Sequence, residues 1–266
     1  MANNIETLVS TFQDIEKEIR MGYIPSSVGL VIDKFSKFLL TASTLRLASD
    51  FDNPNPFLDT PTELFIYSSS AADTGVCEIQ YIDQARAMQT VTVTLTGQTP
   101  VSLGTDIYCI YRMSNTGTVD YAGDIYASSD GTPTAGVPAS EATVYCKVTL
   151  LYDGITPINQ SLTGVFSVPS GWTGFVTSFY VTADKGTDMS AAALARLEGG
   201  VFKYVETLKA YQSSNSKDIF KRFPEKSDFK PLAYSNSGGG GGSTGYGSLS
   251  YTVVLIENSY LDRYQR

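Results

Sequence analysis

The chain has 266 residues, 42% of them hydrophobic, which is enough for the core of one large all-β domain with an extension or of two small domains. Charged residues make up only 17%, below the roughly 25% usual for soluble proteins, and 17 Tyr residues stand beside abundant Ser, Thr, Asn, Gln and Gly. The net charge of −8 opposes binding to phosphate backbones, so nucleic acid is not an expected partner.

The first 24 residues carry an apolar seam with the spacing of a short helix. Its members follow one another at intervals of three and four residues, as in the a and d positions of a coiled coil: Ile5, Leu8, Phe12, Ile15 and Ile19. Two interpretations fit this seam. The helix lies on its own domain, or it forms an oligomeric bundle or docks on a partner protein. We take these five residues as candidate oligomerisation and partner-docking contacts, within an N-terminal helical and extended assembly segment over residues 1–60.

The rest of that segment is less regular. Four apolar residues fit a second amphipathic helix over about 29–40: Val31, Phe35, Phe38 and Leu39. Residues 50–59 are predicted to be an irregular connector, because Pro54 and Pro56 cannot take part in regular backbone pairing. The start of the chain lacks the basic and apolar regions of a secretory signal peptide. The sequence contains no run of about 18 apolar residues, so no membrane span is predicted.

From Thr62 onward the pattern is that of β-strands separated by turns. Short runs rich in β-branched and aromatic residues recur about every ten residues, at 64–67, 76–82, 91–96, 107–112, 121–127, 143–152, 162–168, 174–183, 200–212, 217–223, 227–234 and 248–257. This spacing predicts a mainly β fold, an antiparallel and jelly-roll-like β-sandwich over residues 61–266. A break near 155–162 would divide it into two smaller sandwiches.

Three segments interrupt this pattern. Residues 191–197 favour a helix by composition, although they could be only a turn between strands. The glycine-rich run at 235–247 is interpreted as a hairpin loop between two strands. The tail at 259–266 carries Tyr260, Leu261 and Tyr264, and we expect it to contact a neighbouring subunit.

The chain has no histidine, which excludes Ser-His-Asp and Cys-His catalysis and the usual zinc sites. Most acidic residues of the β region stand in turns, where they are expected to accept backbone N–H groups, among them Asp73, Asp83 and Asp124. A glycoside hydrolase with paired carboxylates is the less favoured enzymatic alternative. We predict no enzyme, no catalytic residue, no cofactor and no metal site. The odd number of cysteines, each inside an apolar run, predicts buried free thiols.

Trp172 is the only tryptophan of the chain and lies in a tight turn that leads into a strand. Together with tyrosines it could form a platform for a sugar ring, as in a host-receptor or glycan-binding module. The alternative is an aromatic residue of the core or of an interface.

Six short segments, in the order Ser68–Thr74, Gln89–Val101, Gly123–Ile125, Phe166–Gly174, Pro224–Phe229 and Leu255–Asn258, are similar to blocks of one family. That family comprises virion structural proteins of tailed bacteriophages and is common in marine podovirus-like genomes. The resemblance covers residues 63–258 and rests on the collinear order of the blocks. Residues 75–88 and 128–160 depart from the family pattern, and the N-terminal helix is not part of it.

The resemblance implies a β-sandwich component of a virion without enzymatic activity. We therefore predict a protein that self-associates as a homo-oligomer and packs on other virion proteins of the neck, tail or capsid. It would be assembled in the host cytoplasm and located in the virion, with neither nucleic acid nor membrane as a partner.

Overall fold

The structure is a computed structural model that describes residues 14–40, 46–150, 157–183, 188–211, 214–235 and 245–264. Within these residues the chain is mainly β, all of its sheets are antiparallel, and a short helix, α1, covers residues 14–20. The predicted fold class, a mainly β antiparallel protein with an N-terminal helix, is thereby confirmed. No helix of the described residues is long and apolar enough to cross a membrane.

The strands follow in chain order as β1 (Gly29–Leu40), β2 (Arg46–Leu47), β3 (Leu64–Ser68), β4 (Val76–Asp83), β5 (Met88–Thr94), β6 (Val101–Gly104), β7 (Ile107–Asn115), β8 (Ile125–Ser128), β9 (Val144–Val148), β10 (Phe166–Ser167), β11 (Trp172–Ala183), β12 (Asp188–Arg196), β13 (Lys203–Tyr211), β14 (Ser214–Phe223), β15 (Asp228–Ser235) and β16 (Gly245–Glu257). A second helix, α2 (Asn258–Tyr264), follows β16.

These strands form four sheets. Sheet I has the order β1-β16-β11-β14, and sheet II the order β10-β15-β12-β13 with β2 beside β15. Sheet III has the order β6-β3-β8-β9, and sheet IV the order β5-β4-β7. They lie in a propeller-like ring, whereas we predicted a jelly-roll-like β-sandwich. The larger hydrophobic core receives side chains from all four sheets, whereas a smaller core lies between sheets III and IV.

The predicted second helix over 29–40 is wrong, because these residues form β1. This strand pairs along its whole length with β16, from Gly29 opposite Ile256 to Leu40 opposite Gly245. Phe38 and Leu40 are buried while Leu39 between them is exposed, which is the two-residue period of a strand with one covered face. The predicted assembly segment 1–60 therefore contributes an edge strand to sheet I.

The helix-favouring residues 191–197 also belong to a strand for most of their length. β12 lies in the middle of sheet II, between β13 and β15, and Ala191 and Ala193 are buried in the larger core. Pairing on both sides and burial outweigh the helix propensity of alanine. The strands on either side of the glycine-rich run do not pair as the predicted hairpin. Its residues 236–244 lie outside the described part, but the flanking strands β15 and β16 belong to different sheets.

The remaining sequence predictions concern the connector and the cysteines. Residues 50–59 form no strand or helix, as predicted from the two prolines. Cys77, Cys109 and Cys146 are free and buried, which confirms the predicted thiols. Burial raises the pKa of Cys77 to about 11 and that of Cys146 to about 12, so both thiols are protonated at neutral pH. From β9 to β10 the chain passes from sheet III to sheet II, across the predicted break near 155–162.

Candidate functional site

Helix α1 lies on the outer face of sheet I, the face that points away from the larger core. Ile15 and Ile19 pack there against a small cluster that includes Phe175 of β11 and Val254 of β16. The start of β1 is shaped for this contact. A Cβ atom at Gly29 would lie 2.8 Å from the Ile19 side chain, so any larger residue at this position would force Ile19 to shift.

Ionic contacts fix the direction of α1 across the sheet. The Arg20 guanidinium donates to both carboxylate oxygens of Asp33 on β1, at 2.9 and 2.7 Å. It also donates to Glu16 at 3.0 Å, and Glu16 accepts a bond from Thr177 of β11 at 3.3 Å. The contact with Arg20 lowers the pKa of Asp33. The C-terminal end of α1, at Arg20, therefore lies over β1, and the preceding turn of the helix, at Glu16, lies over β11.

The structure thus places two of the five seam residues. Ile15 and Ile19 contact their own sheet, as the first interpretation of the seam requires. Ile5, Leu8 and Phe12 lie outside the described residues. The role of the seam in oligomerisation stays a prediction.

The part of this sheet face away from α1 is exposed and carries large apolar side chains. We name it the aromatic face and define it by Phe35, Leu39, Tyr180 and Tyr246, which are 48%, 39%, 40% and 37% exposed. Ser250 lies opposite both Phe35 and Tyr180, and Leu39 lies opposite Tyr246. Exposed aromatic residues among serines and threonines are typical of protein–protein contact surfaces.

The C-terminal tail packs on the same face as α1. Leu261 of α2 is 9% exposed and belongs to the cluster that holds Ile15 and Ile19, and Tyr260 packs against that cluster. These two residues, which we expected to contact a neighbouring subunit, are therefore in contact with their own sheet.

Trp172 begins β11, opposite Glu257 of β16. Its side chain is half-buried and packs against the larger hydrophobic core. This is the environment of a core aromatic residue, the second of the two interpretations of Trp172.

The turn carboxylates accept backbone N–H groups, as predicted. Asp73 accepts from Ala122 at 2.7 Å and from Gly123 at 3.0 Å, and Asp83 accepts from Ala87 at 2.7 Å. Asp124 accepts from the N–H of residue 150 at 2.7 Å. Their oxygens hold turns and neighbouring chain segments together.

The sequence did not reveal a charged junction centred on Asp228, at the start of β15. This carboxylate is 0% exposed. Its Oδ1 accepts from Arg86 at 2.9 Å and from Ser167 at 2.8 Å, and its Oδ2 accepts from Arg196 at 2.7 Å and from Tyr108 at 2.5 Å. A carboxylate has about four acceptor positions, and four donors fill those of Asp228. Asp228 is therefore saturated by the chain itself and has no oxygen left for a substrate.

The partners of Asp228 connect three parts of the fold. Arg86 stands in the turn between β4 and β5 of sheet IV, in the left-handed region at φ 66°, and its Cζ lies 3.4 Å from the centroid of the Tyr108 ring. Arg196 ends β12 of sheet II and also donates to Asp59 of the connector at 2.6 Å. Burial and the Asp228 charge raise the pKa of Tyr108 far above its usual value. The junction ties sheets II and IV and the connector together.

The six segments that resemble the phage family meet in two places. Around Asp73, the blocks 68–74, 89–101 and 123–125 exchange bonds: Gly97 N–H donates to Asp73 O at 2.8 Å, and Ser69 N–H donates to Asp124 O at 2.9 Å. Around Val168, the blocks 166–174 and 224–229 are bonded in both directions at 2.8 and 2.9 Å. The last block joins them, since Asn258 N–H donates to Gly171 O at 2.9 Å.

No protein-family model matches the chain, and no curated protein matches it. Among solved structures, it is similar to the mitogen of Yersinia pseudotuberculosis at 13% identity, over 34% of this chain and 80% of that one, with a TM-score of 0.22. A mutant VP2 protein of infectious bursal disease virus in T=1 particles is 11% identical over 89% of this chain and 72% of that one, with a TM-score of 0.24. An insecticidal delta-endotoxin of Bacillus thuringiensis is 11% identical over 82% of this chain and 54% of that one, with a TM-score of 0.22. At such TM-scores these similarities assign neither a family nor a function.

Proposed function

We propose that the protein is a non-enzymatic structural component of a tailed-phage virion, which self-associates and packs on other neck, tail or capsid proteins. The observation that carries the proposal is the meeting of the six resembling segments. Short matches that arise by chance need not contact one another in the fold. These segments form two hydrogen-bonded clusters, as expected if the resemblance reflects a shared structure.

The surface of sheet I supports a role in assembly. Helix α1 leaves the aromatic face open, and this face offers apolar area with few charges on a chain whose net charge is −8. Tyrosine and phenylalanine bury much area at low cost in side-chain entropy, which suits contacts between copies or with partner proteins. The seam residues Ile5, Leu8 and Phe12 supply a second candidate contact.

The carboxylates of the Asp228 junction and of the turns at Asp73 and Asp83 are occupied by contacts within the fold, in keeping with the non-enzymatic role proposed here. A glycosidase needs an acid and a base that reach the substrate. Asp228 is saturated by four donors, and the turn acids Asp73 and Asp83 accept backbone N–H groups. Trp172 packs against the core, so no observation favours a sugar platform there.

The test has two measurements on the full chain. Size-exclusion chromatography with light scattering gives the mass in solution, and mass spectrometry of purified particles of the encoding phage gives its presence and copy number. We expect an oligomer and a stoichiometric virion component. A strictly monomeric protein that is missing from particles would refute the proposal.

A matched pair of double variants identifies the contact. Leu8→Asp with Phe12→Asp places charge on the seam, whereas Thr11→Asp with Gln13→Asp adds the same charge beside it. If the seam joins copies, only the first pair lowers the mass. If Phe35→Asp with Tyr180→Asp lowers it instead, the aromatic face is the contact between copies.

A further inference from the structure

A lysine is buried where the strand pattern calls for an apolar residue. On β1, the side chains that face the interior at alternate positions include Ile32, Ser36 and Phe38, and Lys34 stands among them. Lys34 is 6% exposed. Its Nζ donates to the backbone carbonyl of Tyr111 on β7 and lies 5.8 Å from the centroid of the Tyr111 ring.

The ammonium group of Lys34 lacks a counter-ion within the described part of the chain. None of the carboxylates described there lies within ion-pair distance of its Nζ. A lysine has three N–H donors, and the Tyr111 carbonyl takes one of them. Buried charges are normally paired, because the loss of hydration costs several kcal/mol per ion. Burial accordingly lowers the pKa of Lys34 to about 8.

Lys34 lines a cleft of about 560 Å³ between β1 of sheet I and the strands of sheet IV. Arg112 of β7 lines the same cleft and is exposed, so it stands where the cleft meets solvent. Its Nη2 makes a long bond of 3.3 Å to Gln160, and it forms no ion pair with a carboxylate of the described residues. Gln80, Thr90 and Ser161 add polar groups to the wall.

Two cations that pair with no carboxylate of the described residues thus line one cleft on a protein that is acidic overall. We propose that this cleft is a binding site for a small anion bearing a carboxylate or phosphate group, which Lys34 holds from within and Arg112 from the entrance. The volume suits a small molecule. Arginine and lysine are the side chains that bind such oxyanions, and the arginine can do so with two parallel bonds. The inference does not depend on the proposed role in a virion.

The experiment is a calorimetric titration of the full chain with disodium succinate and, separately, with sodium phosphate, at constant ionic strength set by sodium chloride. We expect saturable binding of at least one of the two, and the preferred anion distinguishes a carboxylate site from a phosphate site. Binding should raise the melting temperature in proportion to the logarithm of the ligand concentration. Phosphate also stabilises proteins by exclusion from their surface, so the comparison between variants is decisive.

Two variants with the same change in charge separate the site from the general field of the protein. Arg112→Gln should weaken binding about tenfold, which corresponds to the loss of one charged hydrogen bond. Lys37→Gln lies on the same strand as Lys34 but on its opposite face, beside Tyr246, and should bind as the wild type does. Lys34→Gln should abolish binding. Because that variant is buried and can fail to fold, the exposed Arg112→Gln carries the test.

If the titration shows saturable binding of neither succinate nor phosphate, the proposal is overturned. Equal affinity of Arg112→Gln and the wild type would overturn it as well, as would equal losses in Arg112→Gln and Lys37→Gln.

Discussion

Asp228 and Lys34 are both buried charges that link sheets, yet their surroundings differ completely. Asp228 receives donors from Arg86, Arg196, Tyr108 and Ser167, all within 2.9 Å. Lys34 has one carbonyl partner and no carboxylate of the described residues at ion-pair distance. A charge whose partners all come from the chain is part of the structure. A charge that has no counter-ion among the described residues stands at a place where a ligand can supply one.

The largest effect is expected from removal of the paired charge. Asp228→Ala leaves buried Arg86 and half-buried Arg196 without their shared carboxylate, so we expect a loss of about 3–5 kcal/mol in the free energy of unfolding. Urea denaturation at neutral pH measures it. The matched control is Asp106→Ala, because Asp106 is exposed in a turn and its loss should change stability by no more than about 0.5 kcal/mol. A loss below about 1 kcal/mol at Asp228 would show that the junction is not a structural ion pair.

Lys34 should behave in the opposite way. In Lys34→Met the buried charge disappears, and although Tyr111 loses a donor, we expect the variant to be about 1–2 kcal/mol more stable than the wild type at pH 7. The pKa of Lys34 is about 8 when folded, against an ordinary value of 10.5. Between these values the unfolded chain holds a proton that the folded chain has released, so the stability of the wild type gains as pH rises through this window.

Relative to the wild type, Lys34→Met should therefore lose about 2–3 kcal/mol between pH 7 and pH 10, so that it is no longer the more stable of the two at pH 10. Urea denaturation of both proteins at each pH gives this difference, in which the titration of the shared tyrosines and cysteines cancels. A difference that stays constant with pH would mean that Lys34 is not a buried, charged amine.

Asp50 extends the comparison to an acid. It lines a cleft of about 250 Å³ with Lys147 and Glu141, and its nearest side-chain bonds are long, at 3.5 Å to Ser49 and 3.4 Å to Thr149. Burial raises its pKa to about 7. The folded protein therefore holds a proton that the unfolded chain releases above about pH 4, and stability is lost as pH rises toward 7.

Replacement of Asp50 by asparagine removes the carboxyl group and with it the pH dependence of stability that it causes. We expect Asp50→Asn to gain about 1–2 kcal/mol relative to the wild type between pH 5 and pH 8, a figure reduced for the partial exposure of the residue. Thermal or urea unfolding at the two pH values measures this gain. Asp52→Asn is the control, since Asp52 stands in the same cleft but has Arg46 as an ion-pair partner at 2.6 Å. An equal gain in both variants would show that Asp50 is not distinguished by its lack of an ion-pair partner among the described residues.

The sequence predicts the strands well where one local period dominates. The run around Val91 alternates apolar residues with threonine and forms β5, and the run after Gly174 belongs to β11. β1 was mistaken for a helix because Val31, Phe35, Phe38 and Leu39 also fit a spacing of three and four. Its partner β16 lies more than 200 residues away, so no local pattern reveals the pairing.

Side-chain environments were harder to predict than strands. Asp228 follows Pro224, Glu225 and Lys226, a polar turn that indicates exposure, and the junction forms only when β7, β12, β15 and the turn between β4 and β5 converge. Lys34 sat among apolar residues in the sequence, which was a usable sign of burial once β1 is read as a strand. The seam predicted that Ile15 and Ile19 are covered. Their cover, the outer face of sheet I, is a tertiary feature that periodicity cannot identify.

The smallest effect separates a binding residue from a structural one. Arg112 is exposed, and its only described bond is the long one to Gln160, so Arg112→Gln should change the free energy of unfolding by no more than about 0.5 kcal/mol in sodium chloride. Arg196→Gln is the contrast, because it removes a donor from buried Asp228 and should cost about 2–3 kcal/mol in the same urea experiment. If Arg112→Gln lowered the free energy of unfolding as much as Arg196→Gln does, Arg112 would be a structural residue. The cleft would then not contain two cations that are available to bind an anion.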